Sequence, residues 1–175
     1  IHDKPESQEV CFIQESSYHS FLTERVKQSI EPGPILDKSG KVLGRHKGIP
    51  FYTIGQRRGL RLAKGKPLYV LGIDREKNEI IVGGEEEVYS DKFIVNSVNW
   101  IVPQKMISSH TTQVKIRYNH PGSEASISPK GENEWEVKFK SPQKAITPGQ
   151  AAVFYDGETV LGGGWIKEVL SRGDS

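Results

Sequence analysis

The sequence predicts a mainly β protein, in which one short helix precedes a small β domain and an antiparallel barrel or sandwich follows. Apolar residues recur with helical spacing in a single segment near the N-terminus. Beyond it, short runs of alternating apolar and polar residues are separated by turn-forming residues at nearly even intervals. Such spacing is typical of antiparallel sheets, and the lack of strand–helix–strand units excludes a parallel α/β fold.

Residues 1–30 are expected to form a connector that carries Cys11 and then a helix. The connector is polar and has a short apolar patch around Cys11. A serine at position 16 or 17 can cap the helix, and Pro32-Gly33 would end it. The helix itself is indicated by an apolar residue at every fourth position: Tyr18, Leu22, Val26 and Ile30.

Residues 31–90 are predicted to form a small central β domain that is strongly basic. Strands at 34–37 and 41–46 flank one hairpin turn, and strands at 67–74 and 79–82 flank another. Between these pairs lies a long loop rich in glycine and cations, the basic loop (residues 49–67). Residues 38–73 hold nine basic and no acidic side chains, whereas the rest of the chain has 15 basic and 22 acidic ones. This segregation favours a polyanion-binding surface, with a solvated face as the alternative.

Residues 91–175 are predicted to form the C-terminal β domain, after the acidic run 85–87. Its strands are expected at 93–102, 112–118, 124–128, 135–140 and 151–155, and at 159–161 with 165–169. Alternation is clearest at 135–140, where apolar and charged residues take turns. The run Gly162-Gly163-Gly164 precedes a strand, so it is interpreted as a bulge or a turn and not as a phosphate cradle.

The composition also sets expectations about cofactors and compartment. No stretch reaches the roughly 18 apolar residues of a membrane helix, and the first residues lack the features of a signal peptide. A single cysteine fits a reducing cytoplasm, and scattered histidines show no zinc-type spacing, so no metal is expected. The chain contains no P-loop and no GxGxxG motif, so the sequence predicts no nucleotide site of these types. Ile1 stands in place of a methionine, as expected of a fragment or a processed product.

Six motifs occur in one order: ESQEVCFI (6–13), YTIGQRRGL (52–60), LYVLGID (68–74), KIRY (115–118), AITPGQAAVFYDG (145–157) and VLGGGWI (160–166). Together they resemble the C-terminal half of the bacterial tRNA-specific 2-thiouridylases, which older descriptions call tRNA methyltransferases. The resemblance implies an N-terminal ATP-pyrophosphatase domain, a central domain and a β-barrel of translation-factor type. The family's Ser-Gly-Gly-x-Asp-Ser loop and its first catalytic cysteine are absent here. ATP is therefore expected to serve the whole enzyme and not to bind this part, which should be inactive alone.

Cys11 matches the family's second catalytic cysteine, which the resemblance implies is a persulfide carrier. A sulfur-carrier protein would load it, and its sulfur would pass to C2 of the ATP-activated wobble uridine. Judged by composition alone, Cys11 could equally be a small buried hydrophobic residue. Glu9, where many family members have a small residue, would disfavour the thiolate and so raise its pKa.

Six residues are expected to bind the tRNA anticodon arm. Gln56, Arg57 and Arg58 lie between Gly55 and Gly59, where glycines permit close approach to phosphates and guanidinium groups can grip them. The resemblance adds Arg117, Tyr118 and Gln150. The alternatives are an arginine-rich turn held by water, a core position for Tyr118 on the face of Val114 and Ile116, and a simple turn residue for Gln150. His46 is expected at most to join the basic loop.

Two functions follow. The first is the central and C-terminal part of a tRNA-uridine 2-sulfurtransferase that supplies tRNA binding and the persulfide cysteine. The second is a non-catalytic RNA-binding module with a translation-factor barrel, in which Cys11 only packs. A methyltransferase is disfavoured, because no glycine-rich loop after a strand could hold a methyl donor.

Overall fold

The computed structural model describes residues 30–62, 65–103 and 112–170. Over these residues the protein is mainly β, with ten strands and two short 3-10 helices, which confirms the predicted fold class. The helix expected before residue 30, and Cys11 with it, lie outside the described residues. The strands are β1 (Gly33–Asp37), β2 (Val42–His46), β3 (Tyr69–Asp74), β4 (Glu79–Gly83), β5 (Tyr89–Trp100), β6 (Thr112–Lys115), β7 (Ser123–Gly131), β8 (Glu134–Lys144), β9 (Ala151–Asp156) and β10 (Thr159–Leu170).

The first four strands form one sheet in the order β2-β1-β4-β3. Both predicted hairpins are present, and Gly40 takes the left-handed conformation (φ 84°) that the first turn requires. The hairpins are joined through a parallel pairing of β1 with β4, in which Ile35 faces Ile80. Both isoleucines are fully buried and, with Val70 and Val82, form the core of this sheet.

The last six strands form a closed antiparallel barrel in the order β10-β5-β8-β7-β6-β9, which β9 and β10 complete. The alternation predicted for β8 is confirmed, since Val137 and Phe139 are buried while Lys138 and Lys140 are exposed. Phe93 and Phe154 meet them inside the barrel. The six described strands close on themselves, so each has a neighbour on both sides. Of the two predicted alternatives, the domain is therefore a barrel and not a sandwich.

The glycine run Gly162–Gly164 lies within β10 and does not separate two strands. The bulge interpretation is confirmed, because the pairing register shifts between Gly163 and Trp165, and residues 159–161 and 165–169 are parts of one strand. A Cβ atom on Gly162 would lie 2.6 Å from the carbonyl oxygen of Asn99 on β5. The absence of side chains therefore lets β10 approach β5 closely enough to remain one strand.

The sheet and the barrel are connected by a short 3-10 helix (Glu85–Val88), which the acidic run forms. The Val88 carbonyl accepts a hydrogen bond from the Ala145 amide (2.9 Å), in the loop after β8. This contact places one end of the barrel against the central sheet. Within the part of the chain that the structure describes, no helix has the length and apolar character needed to cross a membrane.

Candidate nucleic-acid interface

The loop 53–59 is held in shape by the side-chain amide of Gln56. Its Oε1 accepts a hydrogen bond from the Thr53 amide (3.0 Å), and its Nε2 donates to the Arg58 carbonyl (2.9 Å). Backbone bonds from Gly55 to Val70 (2.8 Å) and from Val70 to Gln56 (3.0 Å) fix the loop to β3. Gln56 therefore organises the loop, and whether it also touches RNA stays a prediction.

The loop lies against the barrel because Gly55 has no side chain. Gly55 and Gly59 both adopt left-handed conformations, with φ of 85° and 82°. A Cβ atom on Gly55 would stand only 2.6 Å from the Cβ of Ala145, in the loop that follows β8. Glycine at this position thus satisfies both the backbone turn and the close approach to the barrel.

The loop's arginines differ from Lys38, another cation of the basic segment, in having no acidic partner among the described residues. Lys38 forms an ion pair with Glu87 (3.0 Å), and Arg45 donates to the Pro32 carbonyl (3.2 Å). Arg57 and Arg58 are exposed and form no ion pair with any residue in the described ranges. Their charge is available to an external anion.

Glu87, in the connecting helix, has a carboxyl group whose pKa is lowered by its neighbours. The hydrogen bond from Lys38 lowers the pKa of this carboxyl most, and the Gly84 amide, which donates to Oε2 (2.7 Å), lowers it further. Burial opposes the shift, and the positive charge of Lys38 adds to it. Glu87 therefore remains ionised and keeps Lys38 neutralised through the neutral pH range.

Arg117 and Tyr118 lie beyond the end of β6, which stops at Lys115. The core alternative for Tyr118 was wrong: Val114 and Ile116 are fully buried, yet Tyr118 is 77% exposed, because the strand alternation ends before it. Arg117 is also exposed, and its Nη1 donates to the Lys144 carbonyl (2.9 Å) at the end of β8. Arg117 thus lies at the barrel end that faces the central sheet, where Lys144 also contacts Glu85.

Gln150 belongs to the loop between β8 and β9 at the same end. Its amide donates to the Thr147 carbonyl (3.2 Å), and its own carbonyl accepts from Ile166 on β10 (2.8 Å). The side chain is half-buried, and its Oε1 has no hydrogen-bond partner among the residues of known position. The backbone role matches a turn residue, and RNA contact by the side chain stays a prediction.

Lys144 links the loop of Gln56 to the turn of Arg117, a role that the sequence did not indicate. Its Nζ contacts Glu85 Oε1 (3.3 Å) and stands 4.7 Å from the ring of Tyr69 and 5.8 Å from that of Tyr89. Its carbonyl binds Arg117, and its neighbour Ala145 packs against Gly55. No local pattern could have revealed this, because the partners come from three separate elements.

A groove of about 1440 Å³ runs between the sheet and the barrel at this junction. Thr53 and Ile54 line it from the basic loop, and Pro148 and Gly149 line it from the loop of Gln150. The groove is therefore lined by the loops of Gln56 and Gln150, although none of the six candidate RNA-binding side chains is among its lining residues. The turn of Arg117 reaches the same junction through the Lys144 carbonyl. Cys11 lies outside the described residues.

Two histidines have structural roles that a repeated pattern, His-x-Gly, could have revealed. The Nδ1 of His46 accepts from the Gly48 amide (3.0 Å), so its Nε2 carries the proton and donates to the Asn78 carbonyl (3.0 Å). In the same way, the Nδ1 of His120 accepts a hydrogen bond from the Gly122 amide (3.2 Å), and its Nε2 donates to the Oε1 of Gln143 (3.0 Å). Both rings are buried. His46 therefore supports the sheet, and the expectation that it joins the basic loop was wrong.

The described residues show neither a cluster of metal ligands nor a glycine-rich phosphate cradle. Among them, no three His, Cys, Asp or Glu side chains are grouped as metal ligands would be. The Gly162–Gly164 backbone is occupied in pairing with β5 and β9, so it cannot cradle a phosphate. The chemistry that this arrangement supports is the binding of a polyanion across the junction of sheet and barrel.

Comparison with known proteins gives matches to two family descriptions. Residues 19–84 match the tRNA methyl transferase PRC-barrel domain, and residues 90–166 match the aminomethyltransferase beta-barrel domain. A tRNA-specific 2-thiouridylase MnmA from Halothermothrix orenii is 52% identical over 96% of this chain and 47% of its own length. Proteins of the same name from Symbiobacterium thermophilum and Desulforamulus reducens are each 47% identical, over 97% and 98% of this chain and 43% and 47% of their lengths.

These relatives are similar along nearly the whole chain, across both the sheet and the barrel. The chain spans about half the length of the curated relatives that it matches. The two matched domains fall on either side of the acidic connecting helix. The chain therefore belongs to the family of the tRNA-specific 2-thiouridylases.

Proposed function

We propose that this chain supplies tRNA binding and the persulfide cysteine of a tRNA-uridine 2-sulfurtransferase. The substrate is the wobble uridine in the anticodon arm, and the product is 2-thiouridine. The observation that carries the proposal is that the loop bearing the exposed Arg57 and Arg58 and the turn bearing the exposed Arg117 both contact residues 144–145, the first through Gly55 and the second through the Lys144 carbonyl. The similarity to named 2-thiouridylases supports the choice of tRNA over other polyanions.

In this proposal the thiol of Cys11 receives a sulfur atom from a sulfur-carrier protein and holds it as a persulfide. The terminal sulfur attacks C2 of a uridine whose oxygen at that carbon has been activated, and the oxygen departs with its activating group. A second cysteine, from the half of the enzyme that this chain does not span, then attacks the sulfur–sulfur bond. This releases 2-thiouridine and leaves a disulfide between the two cysteines.

ATP-dependent activation is assigned to that other half of the enzyme. The residues of this chain do not fit ATP, because they include no Ser-Gly-Gly-x-Asp-Ser loop and their glycine run is committed to β10. The chain alone is therefore expected to bind tRNA and to make no 2-thiouridine. Both halves of the reaction are expected to take place in the cytoplasm.

The second candidate function is a non-catalytic RNA-binding module, which the same exposed arginines would favour. Binding experiments cannot separate the two functions, because both need the basic loop. Cys11 separates them, since it matters only for the transfer of sulfur.

Binding is tested with the double variant Arg57→Ala, Arg58→Ala. Removal of each phosphate-binding cation should lower the slope of log affinity against log salt by about one unit, so the slope of the double variant should fall by about two. Fluorescence anisotropy with labelled tRNA at several salt concentrations measures the slope. The control is Lys138→Ala, an exposed cation on the barrel wall, which should leave the slope unchanged. Equal slopes in all three proteins would refute the interface.

Catalysis is tested by fusing this chain to the remaining half of the Halothermothrix orenii relative. The fusion should form 2-thiouridine in tRNA when it is given ATP and a persulfide donor. Cys11→Ser should abolish the product while tRNA affinity stays within about twofold, because a serine oxygen cannot carry the sulfur. Mass spectrometry of tRNA nucleosides measures the product. Full activity in the Cys11→Ser fusion would leave only the binding module.

A further inference from the structure

A second concave surface, which shares no lining residue with the junction groove, lies beside the basic loop. It is a cleft of about 370 Å³, and the described residues that line it include three cations, Arg57, Arg61 and Lys66, and no acidic residue. None of these three cations forms an ion pair within the ranges that the structure describes. Leu62, Pro67 and Leu68 add an apolar wall. A concave, low-dielectric surface lined by one sign of charge concentrates the field and attracts anions.

Arg61 is held in an unusual conformation between two anchored leucines. Its φ of 52° lies in the left-handed region, which an arginine adopts at some cost and a glycine adopts freely. Leu60 before it is buried in the core of the sheet, and Leu62 after it packs against that core. The backbone at Arg61 is thereby anchored, and its exposed residue is one of those that line the cleft.

The size and chemistry of the cleft fit one nucleotide. Its volume falls at the lower end of the range of about 300–1000 Å³ that is usual for small-molecule sites. Cations would hold a phosphate, and the apolar wall would contact the face of a base. An RNA duplex presents stacked, paired bases and cannot enter so small a depression, whereas an unpaired nucleotide can.

We propose that this cleft binds a single unpaired nucleotide of the RNA, with its phosphate between Arg57, Arg61 and Lys66 and its base against Leu62, Pro67 and Leu68. The inference rests on the proposed function in taking RNA as the ligand. It adds a second contact, separate from the junction of sheet and barrel. An unpaired nucleotide next to the anticodon arm would be held while the arm lies across the junction.

The test uses the 175-residue chain and three labelled probes: a short oligouridine, a ribose-phosphate strand of equal length without bases, and a short RNA duplex. Arg61→Gly removes the cation and relieves the left-handed backbone, so its melting temperature should equal or exceed that of the parent. Its affinity for oligouridine should nevertheless fall about three- to tenfold, with a salt slope lower by about 0.7, the value for one contact on a single strand. Lys66→Ala should behave alike in binding, and Lys138→Ala should change neither quantity.

The outcomes separate this inference from the proposed function. Oligouridine should bind more tightly than the strand without bases or the duplex, and equal binding of all three probes would overturn the assignment of an unpaired base. If Arg61→Gly binds oligouridine as the parent does, while the double variant of Arg57 and Arg58 loses tRNA affinity, the cleft is refuted and the proposed function stands. If the parent chain binds no RNA at all, both are refuted.

Discussion

The cations of the barrel and those of the central loop have opposite surroundings. On the barrel wall, lysines pair with carboxylates on neighbouring strands or turns: Lys92 and Lys130 with Glu136 (3.7 and 3.5 Å), Lys140 with Glu124 (2.9 Å) and Lys167 with Glu134 (2.6 Å). The loop cations Arg57, Arg58 and Arg61 form no such pair with any described residue. These barrel lysines are thus neutralised, whereas the charges of the loop arginines are available; Lys138, exposed on the barrel wall, is also without an ion pair among the described residues.

The difference has a structural origin. Antiparallel strands place residues of adjacent strands side by side on one face, so alternating charges on the wall find partners across the ladder. The loop lies in a segment without acidic residues. The glycines at its two ends have no side chains, so they offer no group that could bind the arginines in place of an external anion. A basic residue in this protein is therefore informative about function only when its partners are known.

The largest effect on this comparison is expected from Lys144, the paired cation that joins the two regions. Lys144→Met removes the ion pair with Glu85 and the contacts with the rings of Tyr69 and Tyr89. Together these contacts should contribute about 1–2 kcal/mol to the free energy of unfolding, because the side chain is partly buried. The affinity for tRNA should fall about fivefold, because the lost side-chain contacts would no longer hold in place the backbone of residues 144–145, which Arg117 and Gly55 contact.

The salt dependence distinguishes this positioning role from a direct phosphate contact. Lys144 is already neutralised by Glu85, so the variant should keep the salt slope of the parent while its affinity falls. Lys140→Met, which removes a paired lysine from the barrel wall, should change neither affinity nor slope. A slope that falls by about one unit in the Lys144 variant would show that Lys144 itself binds phosphate.

A smaller effect is expected from freeing cations on the barrel wall. Glu136→Gln leaves Lys92 and Lys130 without their carboxylate, yet these lysines stand on a flat strand surface without the glycine-bounded loop or the guanidinium forks. The tRNA affinity should rise less than about twofold, as measured by anisotropy. Glu158→Gln, an exposed change of equal charge outside the ion pairs described, controls for net charge. A tenfold rise in the Glu136 variant alone would show that any unpaired cation suffices, and the comparison would fail.

Much of the fold could be predicted because its signals are local. The turn at Gly40, the alternation through Val137 and Phe139, and the strand limits of β3 and β4 all depend on neighbouring residues. The parallel pairing of β1 with β4 could not be predicted, because it joins segments far apart in the chain. The glycine run in β10 stayed open between a bulge and a turn for the same reason: its role depends on how closely β5 approaches.

The candidate site was predictable in its residue types and not in its partners. The sequence indicates that Arg57 and Arg58 are cations in a glycine-bounded loop, but it cannot show that Lys38 is paired and they are not. The sequence left open whether Tyr118 lies in the core or on the surface. The predicted strand runs to residue 118 and would bury Tyr118, whereas β6 ends three residues earlier and leaves it exposed. Lys144 was missed altogether, since its importance comes from contacts with three elements.

The smallest effect concerns Lys38, a cation of the basic segment whose pairing depends on pH. The bond from Lys38 lowers the pKa of Glu87, so the folded protein holds fewer protons at this group than the unfolded chain does. The stabilisation is therefore fully present above the ordinary value of 4.5 and is lost as pH falls through the lower value of the folded state. Both side chains are substantially exposed, which limits the effect to about 0.5 kcal/mol.

Urea unfolding of the parent and of Glu87→Gln at several pH values measures this difference. The parent should be more stable near neutral pH, and the two free energies of unfolding should converge in acid as the carboxyl of the parent becomes protonated. In a Lys38→Met background the same substitution should have a smaller effect, because the ion pair is already absent. An effect of Glu87→Gln that is just as large in the Lys38→Met background would mean that Glu87 acts through the amide of Gly84 and not through Lys38. Lys38 would then belong with the unpaired cations of the loop, and the basic surface would extend to the tip of the first hairpin.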